Sequence, residues 1–173
     1  MLYLLDANTL INAKNSYYPI ERVPEFWNWL VHQGQLSNIK IPIEIFEEFK
    51  DTKPKDGEKD ELAVWAELSE VKDALLFDEE AEPDLVSRIT YGGYSPNPTD
   101  DELMKMGRDP FLISYALKDS ENRCVVTSEV SKPKRVGANR HIPDVCNTFG
   151  IRCINSFQLI HELDFSTSWN GRS

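Results

Sequence analysis

Four short apolar runs alternate along this chain with segments in which apolar residues recur at helical spacing. The runs are residues 2–5, 39–43, 124–127 and 151–154. Short continuous runs of this kind are typical of strands that are buried on both faces of a parallel sheet. Because strands and helices alternate, the sequence predicts an α/β fold of three layers, α/β/α, around a mostly parallel central sheet of four to five strands.

Helix signals fill the intervals between these runs. A Lys-, Asp-, Pro- and Gly-rich stretch through Gly57 predicts a loop. Residues 78–107 are acidic and carry several prolines and glycines, which predicts an insertion of short helices and loops near the surface. The length suits one domain, residues 1–173, that includes this insertion. The predicted helices begin near residue 6 and otherwise cover residues 24–36, 43–49, 60–77, 109–117, 142–149 and 157–163.

Charge and composition limit the partners that we expect. A formal net charge of -10 argues against the broad basic face of many nucleic-acid binders. No apolar run approaches the roughly 20 residues that span a bilayer, and the N-terminus lacks the basic start of a secretory signal, so we expect a cytoplasmic protein with no membrane segment. One basic strip is a candidate for RNA contacts, although a solvated loop has the same composition. Its members are Lys132, Lys134, Arg135 and Arg140.

Carboxylates follow the predicted strands at the edge where active sites of open parallel sheets form. Asp6 ends the first strand, Glu129 lies just beyond the third, and Asp109 opens the helix that leads into the third. Glu44, Glu47 and Glu48 lie in the helix after the second strand, and any one of them is a candidate for the same cleft. Clustered carboxylates repel one another unless a cation lies between them. Oxygen ligands without clustered His or Cys suit Mg²⁺ or Mn²⁺ better than zinc.

Each acid also has a purely structural interpretation. Asp6 and Asp109 stand where N-cap residues of the next helices are expected. Glu44 and Glu48 are one helical turn apart, which is typical of a solvated face. Asp144 lies in a first helical turn, where the helix dipole favours a carboxylate. The hypothesis of a shared site therefore depends on the joint placement of these acids.

Several of these segments match the motifs of a known family. Residues 4–11, Leu-Leu-Asp-Ala-Asn-Thr-Leu-Ile, resemble the opening of PIN-domain proteins, in which a strand ends in Asp-x-Asn-x-Leu-Ile. Residues 109–116 resemble the family's central Asp and apolar helix, and residues 125–129 resemble its strand followed by Thr-x-Asp. More narrowly, residues 60–65 and 142–146 are similar to a bacterial and archaeal PIN-like subfamily that is classed as a domain of unknown function. In order, these motifs span most of the chain.

The resemblance implies a metal-dependent endoribonuclease, commonly the toxin of a toxin–antitoxin pair, with RNA as its substrate and a protein antitoxin as its partner. Matched residue by residue, it implies that Asp6, Asp109 and Glu48 are the three central acids. Glu48 is chosen because it directly precedes the apolar Phe49.

The fourth acid departs from the family pattern. Glu129 stands where the family usually has Asp, which lengthens the ligand by one methylene group. Asp144 is an alternative or additional ligand. Asn8 and Thr127 are implied as hydrogen-bonding groups behind the metal ligands.

Two other classes of function compete with the nuclease. The first is a PIN-like module that binds RNA or a protein partner without cutting it, which the net charge and Glu129 favour. The second is a haloacid-dehalogenase-like or receiver-like phosphotransfer domain. Such domains need a second acid within a residue or two of Asp6, or a paired lysine after a later strand, and neither is evident. A homodimer is also predicted, on aromatic residues in excess of what one small core needs: Phe26, Trp27, Trp29 and Trp65.

Overall fold

The computed structural model describes residues 1–49 and 60–171. Within them, four parallel strands form one sheet in the order β2-β1-β3-β4. The strands are β1 (Leu2–Leu5), β2 (Ile39–Lys40), β3 (Arg123–Val126) and β4 (Arg152–Ile154). The predicted α/β architecture with a parallel sheet and helices packed around it is confirmed.

Helices connect the strands, and most of them lie where the sequence predicts. The loop predicted through Gly57 lies outside the described residues. The helices are α1 (Ala7–Asn12), α2 (Pro24–Gln35), α3 (Ile43–Glu48), α4 (Glu61–Glu67), α5 (Ser69–Leu75), α6 (Pro83–Ile89), α7 (Asp100–Met106), α8 (Asp109–Lys118), α9 (Ile142–Thr148) and α10 (Ser156–Glu162). Two π-helical turns, Ala13–Tyr17 and Thr90–Tyr94, extend α1 and α6, and two 3₁₀ turns cover Gly137–Asn139 and Trp169–Gly171. No helix among these is long and apolar enough to cross a membrane.

The single helix predicted over residues 60–77 is wrong, because the chain breaks at Leu68. The backbone of Leu68 is extended, with φ -61° and ψ 134°, and separates α4 from α5. The break lets α5 lie against α2 and lets its end run beside β2, where Ile41 donates to the carbonyl of Leu75 at 2.7 Å. Apolar spacing continues across the break, so periodicity alone does not reveal it. Val64 and Leu68, which a continuous helix would bury, are 47% and 45% exposed.

The insertion contributes to the core as well as to the surface. Short helices occur there, as predicted, but Ile89, Tyr94 and Met106 are buried. Helix α6 packs along α8, which in turn contacts β1 and β3. The insertion therefore brings its own side chains towards the middle of the sheet.

The aromatic residues on which the homodimer prediction rested are also buried. None of them is more than 8% exposed. They fill the core of a single chain and offer no surface for a second copy, so this basis for a dimer is wrong. They are Phe26, Trp27, Trp29 and Trp65.

Strand order places a crevice at one edge of the sheet. Strand β1 lies between β2 and β3, so the chain leaves β1 towards one side and later crosses to the other. Loops diverge at such a switch point, which opens a crevice at the carboxyl ends of the two strands concerned. Here these are β1 and β3, which end at Leu5 and Val126 and are paired at those two residues.

Candidate active site

Asp6 and Thr127 follow directly after the paired ends of β1 and β3. Asp6 donates its backbone N–H to the carbonyl of Val126 at 2.9 Å. The Thr127 hydroxyl donates to Oδ2 of Asp6 at 2.7 Å, and Asp6 is only 2% exposed. Although Asp6 occupies the N-cap position of α1, its side chain makes no capping hydrogen bond. The hydroxyl of Thr127 orients the carboxylate, and the backbone N–H groups of Asn8 and Ala7 at the start of α1 also favour its ionised form.

Asp109 is the first residue of α8 and faces the same crevice. The N-cap position is Arg108, so Asp109 does not cap the helix with its side chain. The Tyr94 hydroxyl donates to Oδ2 of Asp109 at 3.4 Å. Burial raises the pKa of Asp109 to about 8, with further increases from the negative charges of Asp6, Glu129 and Glu48, while the Tyr94 hydrogen bond lowers it. The charges of Asp6, Glu48 and Glu129 therefore all act on the titration of Asp109.

Asp6 is perturbed in the same direction. Burial raises its pKa to about 6, the hydrogen bond from Thr127 opposes this shift, and the charge of Glu129 adds to it. Both carboxyl groups are therefore harder to ionise than an exposed aspartate. A cation that entered would favour the ionised form of both groups.

Glu129 is engaged by the backbone of α9. Its Oε2 accepts a hydrogen bond from the N–H of Ile142 at 2.7 Å, at the first residue of that helix. Its own N–H donates to the Thr127 hydroxyl at 3.1 Å. One carboxylate oxygen caps the helix, and the extra methylene relative to Asp provides the reach for it.

Among the glutamates of α3, the charge of Glu48 contributes to the raised pKa of Asp109. Glu47 is exposed and lies 3.4 Å from Arg108, whose Nε is 4.0 Å from Oε1 of Glu48. Glu44 instead accepts from the Tyr115 hydroxyl at 3.3 Å. Glu48 is also the glutamate that the family resemblance singles out, and its role as a metal ligand stays a prediction. Arg108, which the sequence did not single out, provides a positive charge at the rim.

The four acids are not arranged as a finished metal cage. Within residues 1–49 and 60–171, no three Asp, Glu, His or Cys side chains are placed to hold a metal ion together. Arg108 and the start of α9 hold Glu48 and Glu129 in other contacts. The donor atoms are carboxylate oxygens, which fit Mg²⁺ or Mn²⁺. A shared ion would require these side chains to rearrange.

Asp144, a candidate metal ligand from the sequence, is engaged by the loop that follows β3. Its two carboxylate oxygens accept hydrogen bonds from the Ser131 hydroxyl and from the backbone N–H of Lys132, the latter at 2.7 Å. Burial raises its pKa, but these hydrogen bonds outweigh burial and lower it overall. Asp144 thus anchors the basic loop that follows β3. Asn8 is exposed, and its side chain makes no hydrogen bond to any described residue, so its predicted supporting role is not observed.

The four side chains of the basic strip differ in whether they make hydrogen bonds within the described residues. Lys132, Lys134 and Arg135 are exposed, and no hydrogen bond or ion pair joins their side chains to the part of the chain that is described. Arg140 instead donates to the carbonyls of Gly93 and Asp144, the latter at 2.8 Å. It therefore ties α9 to the insertion, and its predicted role in RNA binding is not supported.

Tyr94 was missed by sequence reasoning because it lies in the segment with the weakest pattern. It is 6% exposed, and burial, with the charge of Asp109, raises its pKa. The hydroxyl therefore stays protonated and can only donate to Asp109. No sequence pattern marks Tyr94. The π-helical turns at residues 13–17 and 90–94, a feature that often occurs near functional sites, are seen only in the structure.

We expect Tyr94→Phe to move the titration of the Asp109 carboxyl to higher pH. Loss of the hydrogen bond raises the pKa of Asp109 further, because that bond stabilises the ionised carboxylate. The measurement is the pH profile of the Asp109 carboxyl carbon, followed by NMR between pH 6 and pH 9. Tyr91→Phe is the matched control, since Tyr91 lies in the same π-helical turn but is 54% exposed. Identical profiles for the two variants would contradict a role for Tyr94.

Comparison with known proteins assigns the chain to a family without a described activity. A family model described as a domain of unknown function, DUF4411, matches residues 3–167, which is nearly the whole chain. No curated protein and no solved structure matches. The residues of the acidic site all lie within the matched region.

Proposed function

This chain belongs to the DUF4411 family, and we propose that it is a ribonuclease that depends on Mg²⁺ or Mn²⁺. The observation that supports this is that Asp6 lies at the carboxyl edge of β1 and β3, and that the charges of Asp6, Glu48 and Glu129, from separate segments, all act on the buried Asp109. Asp6 and Asp109 have pKa values raised to about 6 and about 8 in the metal-free protein. Carboxylates that destabilise one another are kept together when a cation or a reaction requires them. The likeness of residues 4–11, 109–116 and 125–129 to PIN-domain motifs points the same way.

The residues have distinct parts in this proposal. Asp6 and Asp109 hold the cation, and Glu48 and Glu129 complete the site when they turn inward. Thr127 fixes the orientation of the Asp6 carboxylate through its 2.7 Å hydrogen bond. A divalent cation bound there supplies Lewis-acid activation of water and stabilisation of the leaving oxygen in phosphodiester hydrolysis.

Substrate binding relies on local rather than overall charge. The chain carries a net charge of -10, so attraction of RNA depends on Lys132, Lys134 and Arg135 in the loop after β3. In the toxin–antitoxin form of this proposal, a protein antitoxin in the cytoplasm covers the acidic site and the side chains of Lys132, Lys134 and Arg135. Such a partner would need acidic groups for the loop.

Purified protein incubated with single-stranded RNA tests the proposal. We expect cleavage in Mn²⁺ or Mg²⁺, none after removal of divalent ions with EDTA, and recovery when Mn²⁺ is restored in excess. The reason is that the ionised acids cannot activate water without the cation. Absence of cleavage in both ions across pH 6 to pH 9 would contradict the nuclease proposal.

The runner-up is a module that binds RNA or protein without cutting. The hydrogen bond from the N–H of Ile142 to Glu129 favours this alternative, because a carboxylate that already accepts from the backbone is a poorer metal ligand. In this alternative the protein binds RNA with equal affinity in EDTA and in Mn²⁺, and no cleavage accompanies binding.

A further inference from the structure

A cleft of about 460 Å³ adjoins the acidic site on the side of β4. Thr127 and Glu129, which contact or perturb Asp6, also line this cleft. Its far wall is the start of α10, and its floor is the carboxyl end of β4 at Ile154. A ligand in the cleft would therefore lie directly beside the atoms at which cleavage is proposed.

Two aromatic rings are exposed side by side in this cleft. Tyr17 is 52% exposed and Phe157 is 50% exposed, and their centroids are 5.0 Å apart at an interplanar angle of 77°. Trp27 and Trp29 are by contrast at most 2% exposed, and Tyr91, which is 54% exposed, lies outside this cleft. Tyr17 is the last residue of the π-helical turn that extends α1. Such turns commonly occur at functional sites, and half-exposed rings offer faces on which a flat ligand can stack.

Polar groups with fixed orientation surround the rings. Asn155 and Gln158 line the cleft and form a reciprocal cap of α10. The N–H of Gln158 donates to Oδ1 of Asn155 at 2.9 Å, and the N–H of Asn155 donates to Oε1 of Gln158 at 3.0 Å. Both carbonyl oxygens are thus occupied, which leaves the two NH₂ groups as donors. The edge of every nucleobase carries oxygen or nitrogen acceptors for such donors.

Positive charge borders the same cleft. Val130 and Ser131 line it and lead directly into the loop with Lys132, Lys134 and Arg135. Ring faces, amide donors and nearby cations are the three features that bind one nucleotide of a single strand.

We propose that Tyr17 and Phe157 form a subsite for an unpaired nucleobase next to the phosphate that is cut. The proposal rests on the proposed ribonuclease function and names the part of the substrate that the cleft binds. A base in a duplex has both faces covered by its neighbours, so the subsite selects against double-stranded RNA. Asn155 and Gln158 contact the edge of the base, and the basic loop contacts the adjoining phosphates.

Binding of a fluorescent single-stranded oligoribonucleotide tests the subsite, with Asp6→Asn as the background to prevent cleavage. Phe157→Leu and Tyr17→Leu should each weaken binding roughly tenfold, because base–aromatic stacking contributes at this level. Phe157→Trp should retain binding. Tyr91→Leu, which removes a ring with similar exposure that lies outside this cleft, should leave it unchanged. Thermal unfolding of each variant checks that the fold is kept, and Phe157→Trp keeps the test decisive if a leucine variant unfolds.

A modified RNA separates stacking from other effects. An oligoribonucleotide with one abasic position at the subsite should bind the parent as weakly as the normal RNA binds Phe157→Leu, and Phe157→Leu should weaken it no further. Duplex RNA should bind all variants equally.

If the leucine variants bind RNA like the parent and, with Asp6 restored, also cut it like the parent, the subsite is overturned while the ribonuclease proposal stands. If ring-dependent binding is found but the parent never cuts, the ribonuclease fails and the subsite stands; if the parent binds no oligoribonucleotide, the subsite fails.

Discussion

Asp6→Asn is expected to lower the rate of RNA cleavage by about 100-fold or more while leaving the fold intact. The substitution removes a ligand charge from the centre of the acidic site. Asparagine has the same shape and can still accept the hydrogen bond from Thr127, which is 2.7 Å long in the parent. The measurement is the single-turnover rate at saturating RNA in Mn²⁺, together with the thermal unfolding temperature.

The matched control for this loss is Asp73→Asn, which makes the same chemical change at an exposed position of α5. It should cut RNA at the rate of the parent. Cleavage by Asp6→Asn at the parent's rate would show that Asp6 is not a ligand, and an equal loss in both variants would point to a general effect of charge.

Asp109→Asn should make the metal-free protein more stable, although it removes activity. Burial and the charges of Asp6, Glu129 and Glu48 raise the pKa of Asp109 to about 8, from 3.8 in the unfolded chain. One pKa unit corresponds to about 1.4 kcal/mol, and the interacting acids share the shift, so we expect a gain of roughly 2 kcal/mol at pH 8. For a chain of this length that is about 4–8 °C in Tm. Active sites commonly hold such destabilising groups.

The pH dependence of this difference follows from the direction of the shift. Below about pH 4, Asp109 is protonated in both folded and unfolded states and carries no penalty. Between about pH 4 and pH 8 only the unfolded chain releases the proton, so the parent loses stability with rising pH, and the loss levels off above pH 8. The advantage of Asp109→Asn in EDTA should therefore grow over this range. A variant that is less stable than the parent at pH 8 would contradict the electrostatic description of the site.

The part of the site that follows from strand ends was predictable from sequence. Asp6 and Thr127 meet because carboxyl ends of adjacent parallel strands share an edge, and an apolar run that stops at a polar residue reveals where each strand ends. Asp109 was predictable because its helix leads into β3. Glu48 was one of three candidates, since helical spacing alone does not give the rotation of α3 about its axis.

Contacts made by the insertion and by the basic loop were not predictable in the same way. Tyr94 reaches Asp109 across a segment with no periodicity, so its position depends on tertiary packing. Asp144 and Arg140 matched the expected chemistry by type, but the chain uses both to hold its own backbone. Residue type therefore identified groups able to bind a metal ion or phosphate, and only hydrogen bonding revealed which of them were already engaged.

Calorimetric titration with Mn²⁺ at pH 8 tests most directly whether a divalent cation is what holds the acids of this crevice together. The parent should bind Mn²⁺ and release protons, with an apparent affinity that increases from pH 6 to pH 8, because the cation competes with the protons on Asp6 and Asp109. Asp6→Asn and Asp109→Asn should each abolish that heat, and Asp73→Asn should retain it. A parent that binds no Mn²⁺, or binding that survives in both Asp6→Asn and Asp109→Asn, would contradict the account.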